Sequence, residues 1–303
     1  MVKLPWIIVA LGACAPDLED ATSIVTSPRL LAVRIESPEV APGGTVETIA
    51  LWADPATTAV AEAPLEWAFC TRRKGFSEPG PVASACLAPQ SEDLVVYGAG
   101  TEATGTVPAN ACRQFGPDAP DAVAGEPPGR PVDPDSTGGF YQPLRVRHDD
   151  AYALGQVRLR CGLPGATPAQ ATAFRDGYIP NANPAIDAVD VPSTVRAGDI
   201  VELTVAWKAC EDAPCTGSEP YLWFDPARRE LATRREAMRV SWFATAGAFE
   251  TGHAGRSETE ADQPFATGTW TAPAETGDVQ LWIVLRDDRG GVTWTARTIT
   301  VGD

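Results

Sequence analysis

Histidine is nearly absent from this 303-residue chain, which carries only His148 and His253, far apart in sequence. Lysine is almost as scarce: Lys3, Lys74 and Lys208 are the only three. No apolar run approaches the roughly 20 residues of a membrane-spanning helix. There is no G-x-S-x-G, no H-E-x-x-H and no C-x2-C pair. These absences remove the serine-hydrolase elbow, the zinc-protease helix and the usual cysteine zinc site. Basic residues number 24 against 40 acidic ones, for a net charge of −16. Nucleic acid and anionic lipid surfaces need clustered cations, so neither is an expected partner.

What is present begins at the start. Met1-Val2-Lys3 carries one positive charge, Leu4–Ala10 is apolar, and Leu11-Gly12-Ala13-Cys14 follows. A basic region, an apolar region and small residues before a cut make a secretory signal. The tetrad resembles the lipobox of bacterial lipoproteins, in which the cysteine is lipidated and becomes the new N-terminus. That resemblance implies a signal peptide at residues 1–13, a polar lipidated tether at 14–28, and acylation of Cys14 with palmitate-type chains. Ala15, where retained lipoproteins carry aspartate, implies the cell outer membrane, reached through the lipid anchor.

Six cysteines remain once Cys14 is set aside: Cys70, Cys86, Cys112, Cys161, Cys210 and Cys215. An even number in an exported chain reads as disulfides. Cys210 and Cys215 are near enough to close one tight loop. The other four allow three connectivities. Cys70–Cys86 and Cys112–Cys161 are the favoured pairs. The first ties the end of the Trp67 segment to its own loop, and the second staples a long Pro/Gly-rich loop to the last strand of its domain.

Residues Leu31, Val33 and Ile35 alternate with Ala32, Arg34 and Glu36, the period of a half-buried strand. The phrase VAPGGTVETIALW (Val40–Trp52) recurs without gaps as VRAGDIVELTVAW (Val195–Trp207), with five of thirteen columns identical. A second tryptophan follows in each copy, Trp67 and Trp242. The chain therefore reads as a domain-scale duplication. Each copy is a run of short strands cut by Gly, Pro and Asp, the pattern of a β-sandwich. The expected organisation is all-β. A first immunoglobulin-like domain spans 29–162, including the loop GPDAPDAVAGEPPGRPVDPDSTGG; a linker spans 163–183; a second domain spans 184–303. Loop insertions and short helical turns are expected, at Thr167-Pro168 and at Asp225-Pro226. Contacts across a Pro-rich boundary are usually modest, so the two domains are expected to fold separately.

The phrases LGAC, PRLLAVRIESPEVAPGGTV, ACRQFGPDAP, DPDSTGGFYQP and VQLWIVLRDDRGGVTW resemble outer-membrane lipoproteins of myxobacteria and related bacteria. The resemblance implies export and tandem immunoglobulin-like domains, and no activity.

Candidate sites are sparse. Asp133 and Asp135 alternate before Gly138 as in a calcium loop, so calcium is a possible ligand there and no other cofactor is expected. Tyr221, Trp223 and Phe224 are candidates for an exposed aromatic face touching an envelope protein or a glycan. His148 beside Asp149, and Asp287-Asp288, read as solvated hairpin tips. The chain is expected to be a lipid-anchored cell-envelope protein, a binding or structural accessory and not an enzyme. The alternative is a secreted, carboxylate-dependent, carbohydrate-active hydrolase, which would need two carboxylates facing each other across a cleft.

Overall fold

The computed structural model describes residues 22–57, 63–75, 77–117, 139–149, 151–225 and 227–303. The leader, Cys14 and the calcium candidates Asp133 and Asp135 lie outside them, as does most of the Pro/Gly-rich loop.

Among the described residues the first domain has eight strands: β1 (Arg29–Ile35), β2 (Glu39–Val40), β3 (Thr45–Ala53), β4 (Glu66–Cys70), β5 (Leu94–Ala99), β6 (Glu102–Thr106), β7 (Phe140–His148) and β8 (Ala151–Leu159). A one-turn helix, α1 (Ala111–Gln114), lies between β6 and β7. The linker forms α2 (Pro168–Gly177), where Thr167 and Gln170 make a reciprocal capping box. Thr167 as N-cap and proline at the first turn explain its start.

The second domain follows as β9 (Ile186–Asp190), β10 (Thr194–Arg196), β11 (Ile200–Trp207), β12 (Pro220–Asp225), β13 (Glu230–Arg235) and β14 (Met238–Ala244). It ends with β15 (Ala248–Phe249), β16 (His253–Arg256), β17 (Phe265–Thr271), β18 (Gly277–Asp287) and β19 (Val292–Gly302).

Both domains are immunoglobulin-like sandwiches with one strand order. In the first, β1-β3-β6 faces β2-β8-β7-β4-β5; in the second, β9-β11-β17-β15 faces β10-β19-β18-β14-β16. The short strands β2 and β10 each run parallel to the last strand of their own domain. The repeated phrase falls on β2–β3 and β10–β11. Its shared glycine, Gly43 or Gly198, takes a φ of 76° or 77° in the intervening turn, a backbone state that other residues rarely adopt. Trp67 on β4 and Trp242 on β14 are fully buried at equivalent places between the sheets. All three expected disulfides are formed: Cys70–Cys86, Cys112–Cys161 and Cys210–Cys215.

Two expectations need correction. The segment from Asp225 is a tight hairpin turn between β12 and β13, not a helix. The Asp225 carboxylate accepts from the N–H groups of Ala227 and Arg228 at 2.8 and 3.1 Å. That is the same bonding an N-cap makes, but Arg229 then takes a φ of 57° and returns the chain to a strand.

The second concerns the expectation of modest contacts across the domain boundary. Val46, Thr48, Ala50 and Trp52 on β3 face their own core, yet Leu51 and Ala53 on the other face are also fully buried. They pack with Leu31 and Ala32 of β1 against Trp282 and Val284 of β18. The outer face of one sandwich thus covers the outer face of the other. Trp282 and Val284 are 1% and 0% exposed, although their strand neighbours Ile283 and Leu285 already fill the second core. The end of the expected tether joins this contact. Ile24 bridges Ala244, and Val25, fully buried, donates its N–H to the Ala244 carbonyl at 2.8 Å.

A shared apolar face couples the stabilities of its two sides. Trp282→Ala removes a large packed side chain from the contact and should cost about 3–5 kcal/mol. Calorimetry should show one unfolding transition for the chain, shifted down as a whole in the variant. Two transitions, of which only that of the second sandwich moves, would show that the sandwiches unfold independently.

Candidate functional site

The apolar face has a polar margin where β18 turns into β19. Arg289, at the tip of this hairpin, is 0% exposed. Its Nη1 donates to Glu219 at 3.0 Å and Glu236 at 3.1 Å. Its Nη2 donates to the Tyr178 hydroxyl at 2.7 Å and the Ile179 carbonyl at 3.1 Å, and lies 3.5 Å from Glu39. The guanidinium also sits 5.2 Å from the Tyr178 ring and 4.6 Å from the Tyr221 ring.

Glu39 belongs to β2 of the first sandwich, and most of the residues around it come from the linker and the second sandwich. Its carboxylate accepts from the Tyr178 hydroxyl at 2.6 Å and the Asn181 N–H at 3.3 Å, and Arg158 of β8 lies 3.7 Å away. Asp287 accepts from Asn181 Nδ2 at 3.2 Å, and from the N–H groups of Arg289 and Gly291 at 2.8 Å each. A Cβ at Gly291 would stand 2.0 Å from Asp287 Oδ2, so only glycine fits there. The first sandwich, the linker and the second sandwich are thus locked by one buried network.

The network holds more carboxyl groups than guanidiniums. Burial, and the neighbouring charge of Asp287, push Glu236 well above the usual carboxylate range, against the pull of Arg289. Burial raises Glu219 and Asp287 as well. Asp288, whose Oδ1 accepts from the Ala237 N–H at 3.3 Å, is raised to about 6 by burial and by Asp287. Burial also lifts Tyr178 to about 12.

Beside the joint lies a cleft of about 820 Å³, within the range of small-molecule sites. Its floor includes Tyr141, Pro143 and Leu154 of the first sandwich. Arg286 to Asp288 and Gly290 to Val292 of the second form one wall, and Arg72-Arg73-Lys74 form the rim.

Sequence reasoning brought few of these residues forward. Asp287 is buried and Asp288 half-buried; the second sandwich's hairpin tip is pressed into the joint. Tyr221 and Phe224 are 3% and 6% exposed, so they do not form an exposed aromatic face. Tyr221 packs on Arg289, and Trp223 is half-buried under Arg234, whose guanidinium is 5.0 Å from the ring. His148 is half-buried, its ring 4.7 Å from that of Trp52. The described residues contain no group of three or more His, Cys, Asp and Glu placed to hold a metal. None of their helices is long and apolar enough to cross a membrane. Arg289 and Glu39 were missed. The one visible signal was the run Asp287-Asp288-Arg289-Gly290-Gly291, which places an arginine where the first copy's hairpin has none.

No protein-family model and no curated protein matches the chain. Among solved structures, the superoxide reductase of Ignicoccus hospitalis is 14% identical over 38% of this chain and 78% of its own, with a TM-score of 0.24. The fibronectin(III)-like modules of Clostridium thermocellum CbhA are 11% identical over 89% of this chain and 93% of theirs, at 0.23. A chimeric titin Z1Z2-Z1Z2 tandem is 10% identical over 91% and 100%, at 0.25. Similarities at this level carry no argument about function; the strand order itself defines the class, a tandem of immunoglobulin-like sandwiches.

The raised carboxyls set the pH response. A carboxyl whose folded pKa lies above its unfolded one disfavours the folded state once ionised. For Asp288 the penalty is absent below the ordinary value of 3.8 and complete above about 6. It amounts to about 2–3 kcal/mol. The variant Asp288→Asn keeps an acceptor for the Ala237 N–H and removes the titration. It should unfold at a higher temperature than the wild type at pH 8 and lose that advantage by pH 4. An equal difference at both pH values would refute the assignment.

Proposed function

We propose that the protein is a lipid-anchored module of the cell envelope that acts by binding. The observation that carries this reading is the fusion of two sandwiches through a covered apolar face and a buried ionic joint. Such a pair presents its loops and its inter-domain cleft as one surface, which suits a receptor or accessory more than a flexible spacer. The leader and Cys14 supply the anchoring half of the proposal. Outer-membrane residence and an envelope partner, protein or glycan, belong to the same reading. The carboxyls that burial raises are held by Arg289, Asn181 and backbone N–H groups. They therefore lend the hydrolase alternative no facing pair of free carboxylates.

Mass spectrometry of the native protein should find an N-terminal, acylated Cys14. In Cys14→Ser the chain should remain an unprocessed precursor, or leave the membrane fraction if another peptidase cuts it. An unmodified Cys14 in the native protein would overturn the anchoring.

A further inference from the structure

We infer that the inter-domain cleft binds a small anion, a carboxylate or phosphate, that carries an apolar body. This deepens the proposed binding function and rests on it only for the word binding, not for the lipid anchor.

The charge around the cleft is opposite to that of the chain. The protein has a net charge of −16 and only 24 basic residues, yet Arg72, Arg73, Lys74 and Arg286 all line this one cleft. Among the described residues two acids also line it, Asp287 and Asp288, and both are turned to other work. Asp287 is saturated by Asn181 and two backbone N–H groups, and Asp288 accepts from the Ala237 N–H.

Two of the cations lack a close carboxylate. Lys74 makes no hydrogen bond or ion pair among the described residues. Among the described residues Arg286 donates to the Leu31 carbonyl at 3.0 Å and the Ser241 hydroxyl at 3.3 Å. Burial, with Arg239 nearby, lowers its pKa to about 10, so an anion in the cleft would relieve a real electrostatic cost. Arg72 is 3.5 Å from Asp93, and its side chain remains 56% exposed.

The rim is also held in place before any ligand arrives. Arg73 donates Nε to the Gln114 carbonyl at 2.6 Å, at the end of α1. Helix α1 is tied to β8's exit by Cys112–Cys161, and the strand before the rim is tied by Cys70–Cys86. The Gly75 N–H, next to Lys74, donates to Glu78 at 2.8 Å. These contacts fix the backbone that carries the rim, and Arg73 with it, so the rim loses little backbone freedom on binding, which favours affinity. The apolar floor of Pro143, Leu154, Val82 and Phe115 is what selects an anion with an apolar body over a bare ion.

The test is calorimetric titration of the purified chain with octanoate, octyl phosphate, neutral octanol and inorganic phosphate. Saturable binding of octanoate or octyl phosphate, at least ten-fold tighter than octanol and inorganic phosphate, supports the inference. Which of the two anions binds better identifies the headgroup. Lys74→Glu and Arg72→Glu, both on the rim, should weaken that binding ten-fold or more while the unfolding temperature stays unchanged. No saturable binding up to millimolar ligand, or affinity unaltered in both variants, overturns it. Equal binding of octanol overturns it as well, because the cations would then play no part. A chain that binds octanoate but carries an unmodified Cys14 would leave the cleft standing and remove the anchor. An acylated chain that binds none of the probes would do the reverse.

Discussion

The buried guanidinium of Arg289 is the constraint around which the two halves of the molecule are arranged. Taking such an ion from water costs several kcal/mol unless charge and hydrogen bonds replace the lost hydration. Here the replacements come from four places in the chain: Glu39 in β2, Tyr178 and Ile179 after α2, Glu219 before β12, and Glu236 after β13. No single sandwich contains the full set. If the domains parted, Glu39 would leave with Arg158 and Arg289 with Glu219 and Glu236, each set missing the partner that completes it across the joint. The apolar contact between Leu51 and Trp282 supplies area but little direction, since burial of apolar surface is indifferent to rotation. The ionic joint supplies the direction.

Its composition has a second consequence. More carboxyls than guanidiniums are buried, so the joint is not a neutral pair count. Burial raises Glu219, Glu236, Asp287 and Asp288, so each holds a proton more tightly than a solvated carboxylate does. Backbone N–H groups carry part of the excess, at the hairpin where Gly291 leaves room for the Asp287 carboxylate. A joint built this way tolerates mild acid better than an exposed array of salt bridges, whose carboxylates lose their pairing on protonation.

The features legible in the sequence were those whose signal is local. Alternation marked β1 and β3, a repeated phrase marked the duplication, and the positions of six cysteines suggested pairings that close geometrically sensible loops. Trp67 and Trp242 followed from their place after the repeat. What was not legible depended on what lies opposite. Leu51 and Val284 sit on faces that a lone sandwich would leave to solvent, so their apolarity looked like ordinary strand composition. Asp287-Asp288 has the chemistry of a solvated tip, and only the neighbouring domain makes it a buried one. The Asp225 turn shows a narrower ambiguity: an aspartate accepting from the next two or three N–H groups starts a helix or closes a hairpin, and the choice is made by whether the following strand can pair, as β13 does with β12 over six residue pairs.

The insertions that distinguish the two copies are also explained by the joint. The extra hairpin of the second copy brings Glu219 and Tyr221 at its base to Arg289, and Cys210–Cys215 closes the loop just before it. In the first copy the additions lie at the other side of the contact: the segment closed by Cys70–Cys86 and the helix closed by Cys112–Cys161 together build the basic rim of the cleft. Duplication alone would have produced two equivalent sandwiches with equivalent loops. The copies diverged where they meet, one acquiring the acids and aromatics that enclose an arginine, the other the cations that border an open cleft. That asymmetry is what turns two copies of one fold into a single surface with a defined front.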